Sequence, residues 1–172
     1  EKQIKAHHTL DAVDGETAPF PESLHPKLKS ILAADGIESL YSHQAEAFES
    51  ISDDRDTLLV SHTASGKTLS FLLPLLNEYL GAEAPFSAML LYPTKALSRD
   101  QEGTLGRLMD AAMDQRKLGT FDGDTPREER RNIQRAADFV ITNPDMLHAG
   151  ILPNHNRIWK SFLSRLRYIV VD

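Results

Sequence analysis

The segment SHTASGKT, at residues 61–68, carries the residue types best suited to binding an anion. It stands directly after the apolar run TLLV at 57–60 and directly before a helical run. In that position, successive backbone N–H groups and the positive end of a helix would point at a bound phosphate. Gly66 would let the backbone approach the anion, Lys67 would neutralise the terminal phosphates, and the Thr68 hydroxyl would hold Mg²⁺.

This loop predicts that the ligand is a nucleotide. The residues expected to contact it are Thr63, Ala64, Ser65, Gly66, Lys67 and Thr68. Ser61 replaces the glycine that opens the strict pattern, and the alternative is a chance GKT at the start of a helix. An apolar run, a loop and a helical run fall in the required order, which favours the nucleotide site.

A carboxylate suited to the same site ends the run YIVVD, at Asp172. A phosphate-binding loop of this type works with an acidic residue at the end of a buried strand, which orients the magnesium ion through water. Asp172 is therefore expected to serve Mg²⁺ and catalysis together with Lys67, although a turn residue is the alternative. A general base would be expected just beyond Asp172, so we expect this chain to bind nucleotide without completing hydrolysis.

The elements that must position these residues alternate between apolar runs and helical stretches. Apolar runs at 57–60, 88–92, 138–142 and 168–172, with a weaker one at 117–121, are typical of buried parallel strands. Helical patterns lie between them, and two earlier helices are expected, with Ser23 and Ser42 as candidate N-caps. The alternation predicts a doubly wound α/β sheet with ligands at the carboxyl ends of its strands. Residues 1–22 are expected to form an extended lead-in and residues 23–172 one lobe.

Composition agrees with one globular domain, because 41% of the 172 residues are hydrophobic and 26% are charged. No apolar run is long enough to cross a bilayer, and no secretory signal is visible, so no membrane partner is expected. We expect an intracellular location, in the cytoplasm or nucleoid of a bacterium or in the nucleus of a eukaryote. The net charge of −6 argues mildly against nucleic-acid binding through bulk charge, but not against gripping a few phosphates locally.

Four stretches together resemble the first RecA-like lobe of superfamily 2 helicases of the DExH kind. They are LYSHQAEAF at 40–48, the loop at 61–68, YPTKALSRDQ at 92–101, and the pair DGDTP with TNPDMLHAGILP at 122–126 and 142–153. The nearest group is the MrfA-type DNA-repair helicases, which are RecQ-related. The resemblance implies a P-loop NTPase (RecA-like) parallel sheet flanked by helices, the cofactors ATP and Mg²⁺, and an ATP-dependent DNA helicase or translocase acting in DNA repair.

Within the first stretch, Gln44 matches the glutamine that reads the adenine edge in this superfamily. A side-chain amide can both donate to adenine and accept from it, which suits ATP. A solvated helix residue is the alternative for Gln44. Tyr41 would either stack on the base or simply pack against the protein.

The resemblance also implies which residues contact nucleic acid. They are Thr94, Lys95, Gln101, Gly123, Thr142 and Asn143. Ordinary strand-to-helix turns and helix capping are the alternatives, and Asp145 is expected to be a cap. Four arginines, Arg127, Arg130, Arg131 and Arg135, could form a basic stripe, but a solvated helix face is the better interpretation because Glu128 and Glu129 interrupt them.

The partners that the resemblance implies are single-stranded or duplex DNA, with RNA less expected, and a second RecA-like lobe of the same chain. Three alternatives stay open: another P-loop ATPase, an RNA helicase, and a non-catalytic helicase-like binding module. The stretches at 40–48 and 92–101 favour the helicase over an unrelated P-loop enzyme, which would not need an adenine-reading glutamine or a strand-contacting loop.

Overall fold

The computed structural model describes residues 15–60, 66–113 and 117–172. Its strands are β1 (Thr17–Ala18), β2 (Leu40–Tyr41), β3 (Ser87–Leu91), β4 (Leu118–Thr120), β5 (Phe139–Thr142) and β6 (Leu166–Val171). Its α-helices are α1 (Pro26–Ala34), α2 (Ser42–Ser52), α3 (Lys67–Gly81), α4 (Lys95–Ala112), α5 (Arg127–Ala136), α6 (Pro144–Met146) and α7 (Lys160–Leu163). A π-helical turn at Leu147–Ile151 and a 3₁₀ turn at Leu152–Asn154 follow α6.

Four of the strands form one parallel sheet in the order β4-β5-β3-β6. The sheet confirms the predicted α/β fold, and β3, β5 and β6 fall on the apolar runs that predicted them. Such runs lack polar alternation because helices cover both faces of a parallel sheet. A separate antiparallel pair joins β1 to β2, so residues of the lead-in lie against the start of α2.

Neighbouring residues of β3 belong to two different cores, one on each face of the sheet. Ala88 and Leu90 pack in a cluster with apolar residues of α1, α2, α3 and α4. Met89 packs on the opposite face with Ile133 of α5 and with Trp159 and Phe162 of the α7 region. The sheet is therefore flanked by helices on both sides, and the ends of its strands are held between two packed layers.

The helix starts differ in detail from those predicted. The N-cap of α1 is His25, whose ring accepts a hydrogen bond from the amide of Lys27, rather than Ser23. The prediction at Ser23 was wrong because Pro26 fits the first turn of a helix, where its missing N–H costs nothing. Ser42 is the first residue of α2 and follows the N-cap Tyr41.

The prediction of a strand at 57–60 was also wrong, since no strand is assigned there. Leu58 and Val60 are 90% and 87% exposed. The segment lies across a cavity from β6. Within the described residues, the edge of β6 that borders this cavity has no hydrogen-bonded partner strand. An apolar run becomes a strand only where a neighbour supplies hydrogen bonds, which the pattern alone does not reveal. Among the described residues, no helix is long and apolar enough to cross a membrane.

Candidate nucleotide and nucleic-acid sites

The end of the phosphate-binding loop has the backbone geometry that an anion site needs. Gly66 adopts φ 75° and ψ 26°, a left-handed conformation that glycine takes without strain, and α3 begins at the next residue, Lys67. Thr63, Ala64 and Ser65, predicted to contact nucleotide, lie outside the described residues. The described part of the loop therefore ends at a helix N-terminus, where an anion is favoured.

Lys67 and Asp172 line the same cavity, which has a volume of about 330 Å³. Asp172 follows β6 directly, and its amide donates to the carbonyl oxygen of Leu91 at the end of the neighbouring strand. Burial first, and the negative charge of Asp172 second, raise the pKa of the Tyr92 hydroxyl. The carboxylate of Asp172 thus stands at the carboxyl edge of the sheet, on the same cavity as the lysine at the start of α3.

Gln44 is buried, at 3% exposure, and its amide joins two parts of the site. Its Nε2 donates to the carbonyl oxygen of Gly66 at 2.9 Å, and its Oε1 accepts from the amide of Tyr41 at 2.9 Å. The Tyr41 ring is 44% exposed and stacks on His43. The structure therefore holds Gln44 against the phosphate-binding loop, while its contact with adenine stays a prediction.

Thr68 and Gln101 come together, although the sequence assigned them to different ligands. The Thr68 hydroxyl donates to Gln101 Oε1 at 3.2 Å, across α3 and α4. A hydroxyl whose proton is held in this way keeps lone pairs for a cation, and a hydroxyl and a carboxylate are oxygen ligands that Mg²⁺ accepts. The Thr68 hydroxyl and the Asp172 carboxylate therefore have the chemistry that would hold a magnesium ion.

The proposed nucleic-acid residues of α4 face the loop that follows β4. Thr94 caps the helix by accepting from the amide of Leu97. Lys95 Nζ lies 3.1 Å from Asp124 Oδ1, and a side chain at Gly123 would place its Cβ 2.9 Å from the same Nζ. The two stretches YPTKALSRDQ and DGDTP thus form one surface. On that surface the ammonium group of Lys95 is paired with the carboxylate of Asp124.

Asp122 is the buried centre of that loop, with a fully buried side chain. Its Oδ2 lies 3.3 Å from Arg99 Nε, and its Oδ1 accepts from the amide of Asp124 at 2.8 Å. The Thr125 hydroxyl lies 3.0 Å from the same Oδ1. Burial by itself raises the pKa of the Asp122 carboxyl, but the hydrogen bonds from Arg99, Asp124 and Thr125 outweigh it and hold the pKa below the usual value.

Arg130 closes the loop from the other side. Its guanidinium donates to the carbonyl oxygens of Asp122, Gly123 and Thr125 at 2.8 to 3.0 Å and lies 5.5 Å from the centre of the Phe121 ring. This arginine therefore serves neither of the roles that its helical spacing suggested, since it fixes loop backbone. Asp122, Arg99 and Arg130 therefore hold this loop in place. Of these three residues, the sequence singled out only Arg130.

Replacing Asp122 with alanine is expected to destabilise the lobe by about 1–3 kcal/mol, because the Asp124 amide and the Arg99 guanidinium lose a buried acceptor. Asp124→Asn is the matched control, since Asp124 pairs with the same arginine at 3.8 Å but its side chain is 60% exposed, where ion pairs contribute little. Thermal unfolding of the two variants measures the difference. Equal melting temperatures would show that the buried carboxylate does not organise the loop.

Thr142 and Asn143 are placed differently from the other nucleic-acid residues. Thr142 is fully buried and its hydroxyl donates to the carbonyl oxygen of Phe121 at 2.7 Å. Asn143 is 4% exposed and caps α6 by accepting from the amide of Met146, so the expected cap at Asp145 was wrong. Thr142 thus joins the end of β5 to the loop after β4, whereas Asn143 caps its own helix, and the structure gives no support to a direct contact between either side chain and phosphate.

Comparison with known proteins shows the family to which the chain belongs. Residues 41–172 match the family model for DEAD/DEAH box helicases. The chain belongs to the DEAD/DEAH box helicase family. This helicase domain is similar to MrfA, a DUF1998 helicase solved bound to DNA and AMPPNP, with 40% identity, a TM-score of 0.88, and coverage of 96% of this chain and 23% of that one.

Two curated relatives of the helicase domain extend the comparison. The first is YprA of Bacillus subtilis, named an uncharacterized ATP-dependent helicase, which is 40% identical over 96% of this chain and 22% of its own length. The second is the ATP-dependent helicase hrq1 of Schizosaccharomyces pombe, 35% identical over 98% of this chain and 16% of its own length. The chain thus spans about a fifth of the length of the relatives it matches.

Proposed function

We propose that this chain is the ATP-binding lobe of an ATP-dependent DNA helicase or translocase. The observation that carries the proposal is the cavity in which Lys67, at the start of α3, faces Asp172, at the end of β6. A helix N-terminus, a lysine and a carboxylate around one cavity are the groups that a magnesium nucleotide requires. In the bound state Lys67 would neutralise terminal phosphates, Thr68 would hold Mg²⁺ directly, and Asp172 would orient it.

A second observation favours nucleic acid as the partner over a small kinase substrate. Lys95 and Arg99 stand on the first turns of α4, next to the loop at 122–125, and both side chains are about half exposed. Phosphate oxygens of a strand could replace Asp124 as their partner, since an arginine and a lysine on one helix turn match neighbouring phosphates. The exposed face of α4 thus supports a binding site for a nucleic-acid strand, whose positive charge comes from Lys95 and Arg99 and not from the net charge of the chain.

DNA is proposed over RNA, and DNA repair over other pathways, because the similar structure of MrfA is described as bound to DNA and because the notable stretches resemble DNA-repair helicases. A second RecA-like lobe of the longer protein is proposed to close over the nucleotide and to complete hydrolysis. In that arrangement, nucleotide binding and release would open and close the cleft between lobes and move the pair along a strand.

The proposal is tested by measuring ATP hydrolysis by the full-length protein with and without single-stranded DNA or RNA of the same sequence. Stimulation by DNA supports the proposal, and equal rates with and without nucleic acid favour another P-loop ATPase. Stimulation by RNA alone would replace DNA with RNA as the substrate. Binding of both ligands with no hydrolysis would identify a non-catalytic binding module.

Gln44→Ala is expected to reduce the preference for ATP over GTP by about five- to tenfold, because one or two neutral hydrogen bonds to the base are lost. Gln44→Glu is the control, since it keeps an oxygen acceptor for the amide of Tyr41 but cannot donate to the Gly66 carbonyl oxygen. Competition of the two nucleotides against a fluorescent ATP analogue measures the preference. An unchanged ratio in Gln44→Ala would remove Gln44 from the base-reading site.

A further inference from the structure

One hydrogen bond links the two sites directly. Thr68, the residue expected to hold Mg²⁺, donates from its hydroxyl to Gln101 Oε1 at 3.2 Å. Gln101 belongs to α4, the helix whose first residue, Lys95, contacts the loop at 122–124. Both Thr68 and Gln101 are partly buried.

Helix α4 connects Lys95, in the proposed DNA-binding site, with Gln101, which contacts Thr68. Gln101 lies six positions after Lys95, which corresponds to about 9 Å along a helix axis. The buried residues Ser98, Leu105 and Met109 pack α4 against the core along much of its length. A shift of the helix at its N-terminus would change the position of the Gln101 amide relative to Thr68.

The chemistry of the hydroxyl makes the bond sensitive to the metal. The Thr68 hydroxyl would be a stronger donor with Mg²⁺ bound to its oxygen, and an amide oxygen such as Gln101 Oε1 would be a suitable acceptor. The opposite amide orientation would place an N–H on the lone pair that the metal requires. Metal binding thus favours the arrangement of Thr68 and Gln101 that the structure shows.

Resting on the function proposed above, we propose that Gln101 is a positioning residue that couples Mg²⁺–nucleotide binding at Thr68 to DNA binding at the N-terminus of α4. Gln101 acts through Thr68 and through its helix, without touching phosphate of either ligand. Coupling of this kind is reciprocal, so nucleotide tightens DNA binding by the factor by which DNA tightens nucleotide binding.

The test compares Gln101→Leu and Gln101→Ala with Gln101→Glu, which keeps a side-chain oxygen as acceptor. Thr104→Ala is the matched control, because Thr104 is an exposed residue of the same helix. Fluorescence anisotropy of a labelled single-stranded oligonucleotide gives the DNA affinity of the full-length protein with and without Mg²⁺ and AMPPNP. A titration of Mg²⁺ against a fluorescent ATP analogue gives the metal requirement.

Gln101→Leu and Gln101→Ala are expected to reduce the ratio of the two DNA affinities by about fivefold, the effect of one neutral hydrogen bond. They should also raise the Mg²⁺ concentration needed for nucleotide binding, whereas Gln101→Glu should retain part of the coupling and Thr104→Ala all of it. Unchanged ratios in both the leucine and the alanine variants would overturn the positioning role. Equal weakening of DNA binding with and without nucleotide would do so too, because it would make Gln101 a direct DNA contact.

Failure of the proposed function gives a different result from failure of the coupling. If the unmodified protein binds neither the ATP analogue nor the oligonucleotide, the function itself is wrong and the role of Gln101 falls with it. If the unmodified protein binds both and nucleotide changes its DNA affinity, the variants alone decide the role of Gln101. Thermal melting of each variant confirms that the compared proteins are folded.

Discussion

Lys67→Ala is expected to lower DNA-stimulated ATP hydrolysis by the full-length protein about 100-fold or more, while the lobe stays folded. Lys67 begins α3 and lines the cavity shared with Asp172. Removing one pre-positioned donor to developing charge costs roughly two to three orders of magnitude in comparable sites. The side chain is only partly buried and belongs to neither apolar core, so its loss should hardly change packing.

Steady-state hydrolysis and thermal melting, measured on the same preparations, separate the two effects. Lys160→Ala is the matched control, because Lys160 is an exposed lysine at the start of a different helix, α7. The Lys160→Ala variant should hydrolyse ATP at the rate of the unmodified protein. Hydrolysis by Lys67→Ala at the rate of the unmodified protein would contradict the assignment of the phosphate-binding loop.

Gly66→Ala is expected to abolish measurable nucleotide binding and to destabilise the lobe. The backbone at Gly66 has φ 75°, which costs a residue with a Cβ about 1 kcal/mol. A Cβ there would also lie 2.6 Å from Nε2 of Gln44, a side chain that is itself buried and bonded at both ends of its amide. Gln44 would have to leave its site, and the turn that presents the loop amides would change.

The chain offers a close control for this substitution in Gly36. Its φ is 77°, nearly the same, but among the described residues, its chain neighbours aside, none has an atom within 4 Å of a Cβ built there. Gly36→Ala should therefore show the backbone cost alone, as a small fall in melting temperature with normal binding of a fluorescent ATP analogue. If both variants bind the analogue equally well, close contact between Gly66 and Gln44 has no part in forming the site.

The parallel sheet could be predicted because its strands are short apolar runs between helical patterns. Runs such as SAMLL of β3 have this character since both faces of the strand are covered. The run at 57–60 has the same character and yet forms no strand, because a ladder depends on a neighbour that sequence spacing does not reveal. The local pattern therefore identified the apolar segments that could form strands, but not which of them have a hydrogen-bonded partner strand.

The candidate site was predicted unevenly for a similar reason. The structure brings Lys67 and Asp172 to one cavity, and the sequence could point to them because each stands at the end of a predicted element. Asp122 could not, since an aspartate among turn residues is usually exposed, whereas here its carboxylate is buried against Arg99. That pairing joins residues of two elements that only the fold brings together, as does the bond between Thr68 and Gln101.

The cavity between the 57–60 segment and β6 bears on how this lobe behaves when it is produced alone. Ile169 and Val171 of β6 are 59% and 75% exposed, and β6 is the outer strand of the four-stranded sheet. An outer strand with exposed apolar side chains readily recruits another chain, and a charged residue such as Arg167 opposes that recruitment only in part. Solubility of the isolated lobe would thus be limited by this exposed face of β6. Because Ile169 and Val171 line the cavity that Lys67 and Asp172 share, a charged substitution there would also alter the proposed nucleotide site.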